Sequence, residues 1–158
     1  MLPVLILLSA LGCGLVGGIF FAFSSFIMKA LRKLPSAQGI AAMQSINVVV
    51  INPWFLGVFV GTAVTCACAA IVSLLRGAPG AGYVLTGAVL YVLGTFVVTM
   101  RCNVPRNNAL ARVDPGSADG VAEWDRYLPS WTAWNHVRTG AALVAAAMFT
   151  VAFAFEWR

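Results

Sequence analysis

The chain has 158 residues, 61% of them hydrophobic and only 9% charged, with a mean hydropathy of +0.90. Water-soluble domains carry about 25% charged residues, so this composition excludes a soluble enzyme or binding domain and reads as an integral membrane protein. The formal net charge of +5 calls for no nucleic acid, because the basic residues sit where the positive-inside rule and attraction to anionic headgroups expect them.

Four segments are apolar over about twenty residues or more, enough for a helix to cross a hydrocarbon core of about 30 Å. They run from Leu2 to Met28, Val48 to Leu75, Tyr83 to Met100 and Thr132 to Phe155. Backbone in contact with lipid must satisfy its own hydrogen bonds, so the expected fold is all-α, one four-helix bundle filling residues 1–158 as a single domain. The opening "MLPVLILL" lacks a basic leader and its apolar run continues past Cys13, so it reads as an uncleaved first membrane helix rather than a signal peptide. "GLVGG" at 14–18 and "GVFVG" at 57–61 have G-x-x-x-G spacing, which lets backbones approach closely. They are expected to be packing faces within the bundle, with a homodimer as a second use of the same spacing.

Pro35 and Ser36 in "LPSAQGIAAMQSIN" supply a helix start. A helix from there to Leu75 would be about 58 Å long, so it must protrude, lie in the interface or break, and Pro53 in "INPW" is the natural kink. Residues 103–130 form the only sizeable polar segment. Its "DPGSADG" is a turn cluster, after which Val121, Trp124 and Leu128 recur at helical spacing while Glu123 and Arg126 face away. This pattern predicts a short amphipathic interfacial helix between the third and fourth membrane helices.

Parity puts Lys29, Arg32, Lys33, Arg101, Arg106, Arg112, Arg126 and Arg138 on one face, and only Arg76 and Arg158 on the other with both termini. The first face is therefore expected to be cytoplasmic, in a plasma (inner) membrane. Cys13, Cys66, Cys68 and Cys102 read as free thiols within apolar helices, since the two-residue spacing of Cys66 and Cys68 points them to different sides.

The same parity collects the polar residues of the apolar segments at one end. Ser24, Ser25 and Lys29 close the first helix; Gln44, Asn47 and Asn52 precede the second; Thr99, Arg101, Asn103, Asn107 and Asn108 close the third; Trp131, Trp134, Asn135, His136 and Arg138 open the fourth. Polar groups near a membrane core are costly and point to an interior cavity. At 100° per residue, Trp131, Asn135 and Arg138 share one stripe and Thr132, His136 and Thr139 another, so Asn135 and His136 flank a cavity. His136, the lone histidine, has no partners for zinc at suitable spacing. A neutral imidazole beside a cation instead suits a general base.

"NVPRNNALA" at 103–111, "WDRYLPSWTAWNHVRT" at 124–139, "GIFFAFSSFIMKAL" at 18–31 and "MQSINVVVINPWF" at 43–55 together resemble the anthrone oxygenase-like family of small membrane proteins. The resemblance implies a four-helix membrane fold. It also implies oxidation of an anthrone to an anthraquinone by O₂ with no cofactor, neither metal nor flavin. In that reading the partners are the lipid bilayer and a hydrophobic, flat aromatic small molecule. His136 is the expected base, and Arg138, Asn135, Asn103 and Asn107 are expected to stabilise an enolate oxygen. Trp131, Trp134, Trp54 and Phe55 are expected to line the slot, together with Asn47 and Asn52. The competing reading is a non-catalytic membrane module that binds a lipid, a quinone-like molecule or a partner protein at the same end. A transporter fits less well, because the chain lacks paired intramembrane acids and a clear inverted repeat.

Overall fold

The computed structural model describes residues 1–156, and the elements among them are all helical. Helix α1 runs over Leu2–Arg32, α2 over Ser36–Val49, and α3, α4 and α5 over Pro53–Arg76, Ala81–Leu110 and Ala118–Phe155. Helices α1, α3, α4 and α5 are long and apolar enough to cross a membrane. Arg158, assigned above to the less basic face, lies outside the described residues.

Side-chain contacts fix the helix directions. Cys13 meets Cys66 and Phe20 meets Phe59, so α1 and α3 are antiparallel. Tyr83 stacks on Phe155 at one end of the α4–α5 pair, while Asn103 bonds to Trp131 at the other, so these two are antiparallel as well. The Tyr91 hydroxyl donates to the Phe59 carbonyl across α3 and α4, and Asn135 of α5 bonds to the Phe20 carbonyl of α1. The result is an up-and-down bundle.

At 1.5 Å per residue α5 is about 57 Å long, nearly twice the thickness of a hydrocarbon core, so its first turns must project beyond it. Those turns, the ends of α1 and α4, and α2 bury a second cluster of Met28, Leu31, Ile40, Met43, Leu110, Trp124, Tyr127 and Trp131. The intramembrane core is built around Ile6, Cys13, Phe20, Phe59, Cys66, Tyr91, Ala145 and Phe149. The four thiols are free as expected, but Cys68 is exposed rather than buried.

Three expectations need correction or completion. The overlong helix breaks rather than kinks: α2 ends at Val49 and α3 begins at Pro53, with Asn52 capping it by accepting the Phe55 N–H at 3.0 Å. The short interfacial helix is not a separate element, because residues 118–130 are the first turns of α5, which runs through Pro129. Proline removes one i→i−4 hydrogen bond, and burial of Trp124, Tyr127 and Trp131 in the second core holds the helix continuous across it. Val121, expected on the apolar face, is exposed.

The G-x-x-x-G glycines also differ from expectation. A Cβ on Gly14, Gly18, Gly57 or Gly61 would meet nothing within 4 Å, so these pairs make no close approach within the bundle. In α1 the tight contacts are at Gly12, against the Thr62 side chain of α3, and at Gly17, against Leu143 and Ala142 of α5; in α4 they are at Gly87 and Gly94, against Phe149 and Ala141 of α5. Overpacking costs about 1–3 kcal/mol. Gly12→Leu is therefore expected to lower the thermal unfolding midpoint in detergent by several degrees, whereas Gly18→Leu, on an open face, leaves it unchanged. Equal midpoints for the two variants would contradict this packing.

Candidate functional site

A cavity of about 720 Å³ lies at the seam between the two cores. Phe20 and Phe59 come to it from the intramembrane core, Met43 and Trp131 from the outer one. Its walls are mostly apolar, with Gln44, Asn47, Thr99, Asn107, Asn108 and Arg138 as the polar members.

Arg138 dominates the electrostatics. It projects from α5 into the bundle, is only 5% exposed, and lies between two rings, with Cζ 3.9 Å from the Phe20 centroid and 4.9 Å from that of Trp131. Its Nε donates to Asn135 Oδ1 at 2.9 Å and its Nη1 to Thr99 Oγ1 at 3.4 Å. Among the described residues the only ion pair is the exposed Arg126–Glu123 contact, so no carboxylate neutralises this guanidinium. Asn135 is held in turn: its Nδ2 donates to the Phe20 carbonyl at 2.8 Å and to Ser24 Oγ at 2.6 Å. The sequence stripe Trp131, Asn135, Arg138 is thus the interior stripe of α5.

Trp131 is fixed equally firmly. Its Nε1 donates to Asn107 Oδ1 at 2.7 Å, and the Tyr127 hydroxyl donates to the same oxygen at 2.9 Å. Asn103 Nδ2 donates to the Trp131 carbonyl at 3.2 Å, while its Oδ1 is buried without a partner. Gln44 ties α2 to the end of α4 by donating to the Leu110 and Val113 carbonyls at 2.8 and 3.1 Å. Asn47 Nδ2, on the cavity wall, is buried without an acceptor. Two π-helical stretches, Phe23–Ile27 and Thr99–Asn103, contribute to the cavity wall, and a third, Leu90–Val97, precedes the second of them in α4. Wider turns of this kind rotate the residues that follow and recur at functional sites.

The structure therefore brings Asn47, Phe55, Asn107, Trp131 and Arg138 to one cavity, with Asn135 and Asn103 behind its walls. Asn52 serves as the α3 cap instead. Trp54, 87% exposed, and Trp134 lie on the outer surface and line no part of this cavity. His136 is also placed elsewhere. It is exposed and lines a separate, shallow pocket of about 420 Å³ with Lys29, Arg32, Asp125 and Thr132 between α1 and α5. Asn135 and His136 thus do not flank one cavity, because the 100° between them turns the imidazole out of the bundle. Among the described residues no group of three or more His, Cys, Asp and Glu is arranged to hold a metal ion.

Sequence reasoning missed Phe20, Phe59 and Tyr127. Phe20 had a signal, since it precedes Ser24 by four residues and shares its face; Phe59 lies in an apolar run with nothing to single it out. An unpaired buried donor costs about 1–3 kcal/mol. Asn107→Leu, which strands the Tyr127 and Trp131 donors, is expected to lose at least about 2 kcal/mol of stability by that measure. Asn107→Asp keeps the acceptor and most of the stability. A thermal melt of the two variants in detergent checks this, and an unchanged midpoint for Asn107→Leu would overturn the role of that side chain.

No curated protein and no solved structure matches the chain. The sequence model of the anthrone oxygenase family matches residues 54–148, more than half of the chain, including Phe55, Asn107, Trp131, Asn135 and Arg138. On that match and its four apolar helices, this chain belongs to the anthrone oxygenase family.

Proposed function

We propose that the protein is a membrane-embedded oxygenase that oxidises an anthrone-like flat aromatic with O₂ in the cavity beside Arg138, without a cofactor. The observation that carries this reading is the buried guanidinium with no carboxylate partner. It faces an apolar cavity roomy enough for a fused-ring ligand, within the usual range of about 300–1,000 Å³.

The chemistry follows from the substrate class. The methylene of an anthrone is acidified by its ketone and two aryl rings, and loss of one proton gives an enolate. Arg138, with Asn47 Nδ2 as a second donor, stabilises the negative oxygen of that enolate, the type of contact that contributes most to acyl and enolate chemistry. The electron-rich enolate reduces O₂ and forms a carbon–oxygen bond, giving a peroxide. Loss of the second hydrogen from the same carbon, with cleavage of the O–O bond, leaves a ketone and one water. Each CH₂ and O₂ thus becomes C=O and H₂O.

The cavity walls include no carboxylate or imidazole. In this reading the proton leaves to water and Arg138 makes the departure favourable, whereas His136, on the other pocket, is not the base. The same absence of a base supports the second reading, a non-catalytic site for a lipid or quinone-like molecule, and O₂ uptake separates the two. With a model anthrone, Arg138→Gln is expected to lower kcat/KM for O₂ uptake by roughly 10²–10³-fold, the size of losing one oxyanion donor. His136→Gln stays close to wild type. Dependence on His136 but not Arg138 would move the chemistry to the outer pocket, and no uptake above the buffer rate would favour the binding module.

A further inference from the structure

We infer that the cavity is fed sideways, from the hydrocarbon of the bilayer, through an opening between the α2–α3 connection and α4. The inference rests on the cavity being the ligand site, and names how an apolar aromatic reaches it.

The exposed members of the cavity wall mark its mouth. Four of them, Val48, Ile51, Leu56 and Met100, at 72%, 68%, 39% and 48% exposure, are large and apolar and form one rim, while exposed Asn108 and Ala111 stand further out, at the end of α4 and just past it. Arg138, Asn47, Thr99 and Asn107 lie deeper. A mouth that opened to water would hold four large apolar side chains against solvent, each about 1.5–3 kcal/mol less favourable than when buried. Against acyl chains the same rim costs nothing.

Depth agrees with the rim. Leu56 lies about 30 Å along α3 from Arg76, and Met100 about the same distance along α4 from Ala81, so both stand where a hydrocarbon core of that thickness ends. Trp54, two residues nearer the end of α3 and highly exposed, takes the interfacial position that suits an indole.

The backbone at the opening is built for lipid contact. At the edge of the hydrocarbon core, level with Trp54 or just beyond it, non-helical chain beside lipid still needs its polar groups satisfied. Here Asn52 supplies most of this: Oδ1 accepts the Phe55 N–H, Nδ2 donates to the Val49 carbonyl at 2.9 Å, and its own N–H reaches the Val50 carbonyl at 2.9 Å. The Ile51 N–H bonds to the Val48 carbonyl. The helix break thus leaves a gap in the wall whose Val48, Val49 and Val50 carbonyls and Ile51, Asn52 and Phe55 N–H groups are paired.

The test uses the full chain in phosphatidylcholine liposomes and a photoactivatable aryl diazirine that partitions into the bilayer, with its sulfonated, membrane-excluded analogue as the second arm. Mass spectrometry is expected to find the apolar probe on the interior walls Met43 and Phe59, and the sulfonated probe absent from them. Ile51→Trp, and separately Leu56→Trp on the same rim, are expected to cut interior labelling roughly fivefold by narrowing the mouth. Labelling of lipid-facing Leu8 and Leu75 reports that each variant is folded and inserted, and is expected to stay constant. Equal interior labelling by the sulfonated probe, or interior labelling untouched in both folded variants, would overturn the lateral route. Labelling needs no turnover, so the route and the oxygenase reading fail separately: interior labelling without O₂ uptake would leave the route standing and remove the reaction.

Discussion

The guanidinium of Arg138 and the two rings that enclose it are the contact on which the rest of the site depends. An arginine at the centre of a bilayer costs about 2.5–3.5 kcal/mol by insertion measurements, an upper bound for Arg138, which bonds to Thr99 near the edge of the hydrocarbon core. Against this stand two desolvated cation–π contacts of about 2 kcal/mol each and a charged hydrogen bond to Asn135 of about 1.5–3 kcal/mol. The balance favours holding the cation in place without a carboxylate. Neutral rings and amides tolerate the charge but do not cancel it, so its field is directed into the cavity. A carboxylate partner would have secured the side chain at least as well and removed that field.

The position of this cation explains the division of the molecule into two cores. Four helices of equal length would close over an apolar interior and leave no seam. Here the intramembrane core ends at Phe20 and Phe59, and the second core begins at Met43 and Trp131. Helix α2 is tied across the end of α4 by Gln44, which donates to the Leu110 carbonyl at the helix end and to the Val113 carbonyl just past it. Asn107 plays the same part for side chains, gathering the Tyr127 and Trp131 donors onto one oxygen. Polar residues at this end therefore divide into those that seal the cap and those that face the cavity.

Hydropathy was enough to read the four membrane helices, because a run of apolar residues long enough to cross lipid has few other folds open to it. The interior stripe of α5 was legible too, since Trp131, Asn135 and Arg138 follow helical spacing and no apolar stretch interrupts them. Spacing along one helix says which residues share a face but not which face looks inward, and this is why His136 was drawn to the cavity when it points out of the bundle. The π-helical turns hid more: after Phe23 or Leu90 a 100° projection no longer follows the chain. The glycine pairs misled for a related reason. G-x-x-x-G spacing permits close approach but does not create a neighbour, and the membrane helices meet instead at Gly12, Gly17, Gly87 and Gly94, where a single missing side chain suffices.

Proline at 53 carries a consequence beyond ending a helix. With its fixed φ and missing N–H it is suited to the first turn of α3 and unsuited to the interior of a longer helix, so α2 and α3 cannot merge into one rod. The three residues between them must cross the seam as irregular chain at the edge of the hydrocarbon core, where Asn52 caps the new helix start and bonds to the old helix end. Had the chain continued straight, residues 48–52 would have covered the cavity with a closed helical surface. The break leaves Val48 and Ile51 as a low apolar rim. A buried cation that attracts negative charge and an apolar opening that admits only molecules soluble in lipid then select for the same ligand: one that is uncharged while it travels through the membrane and becomes an anion once it is inside.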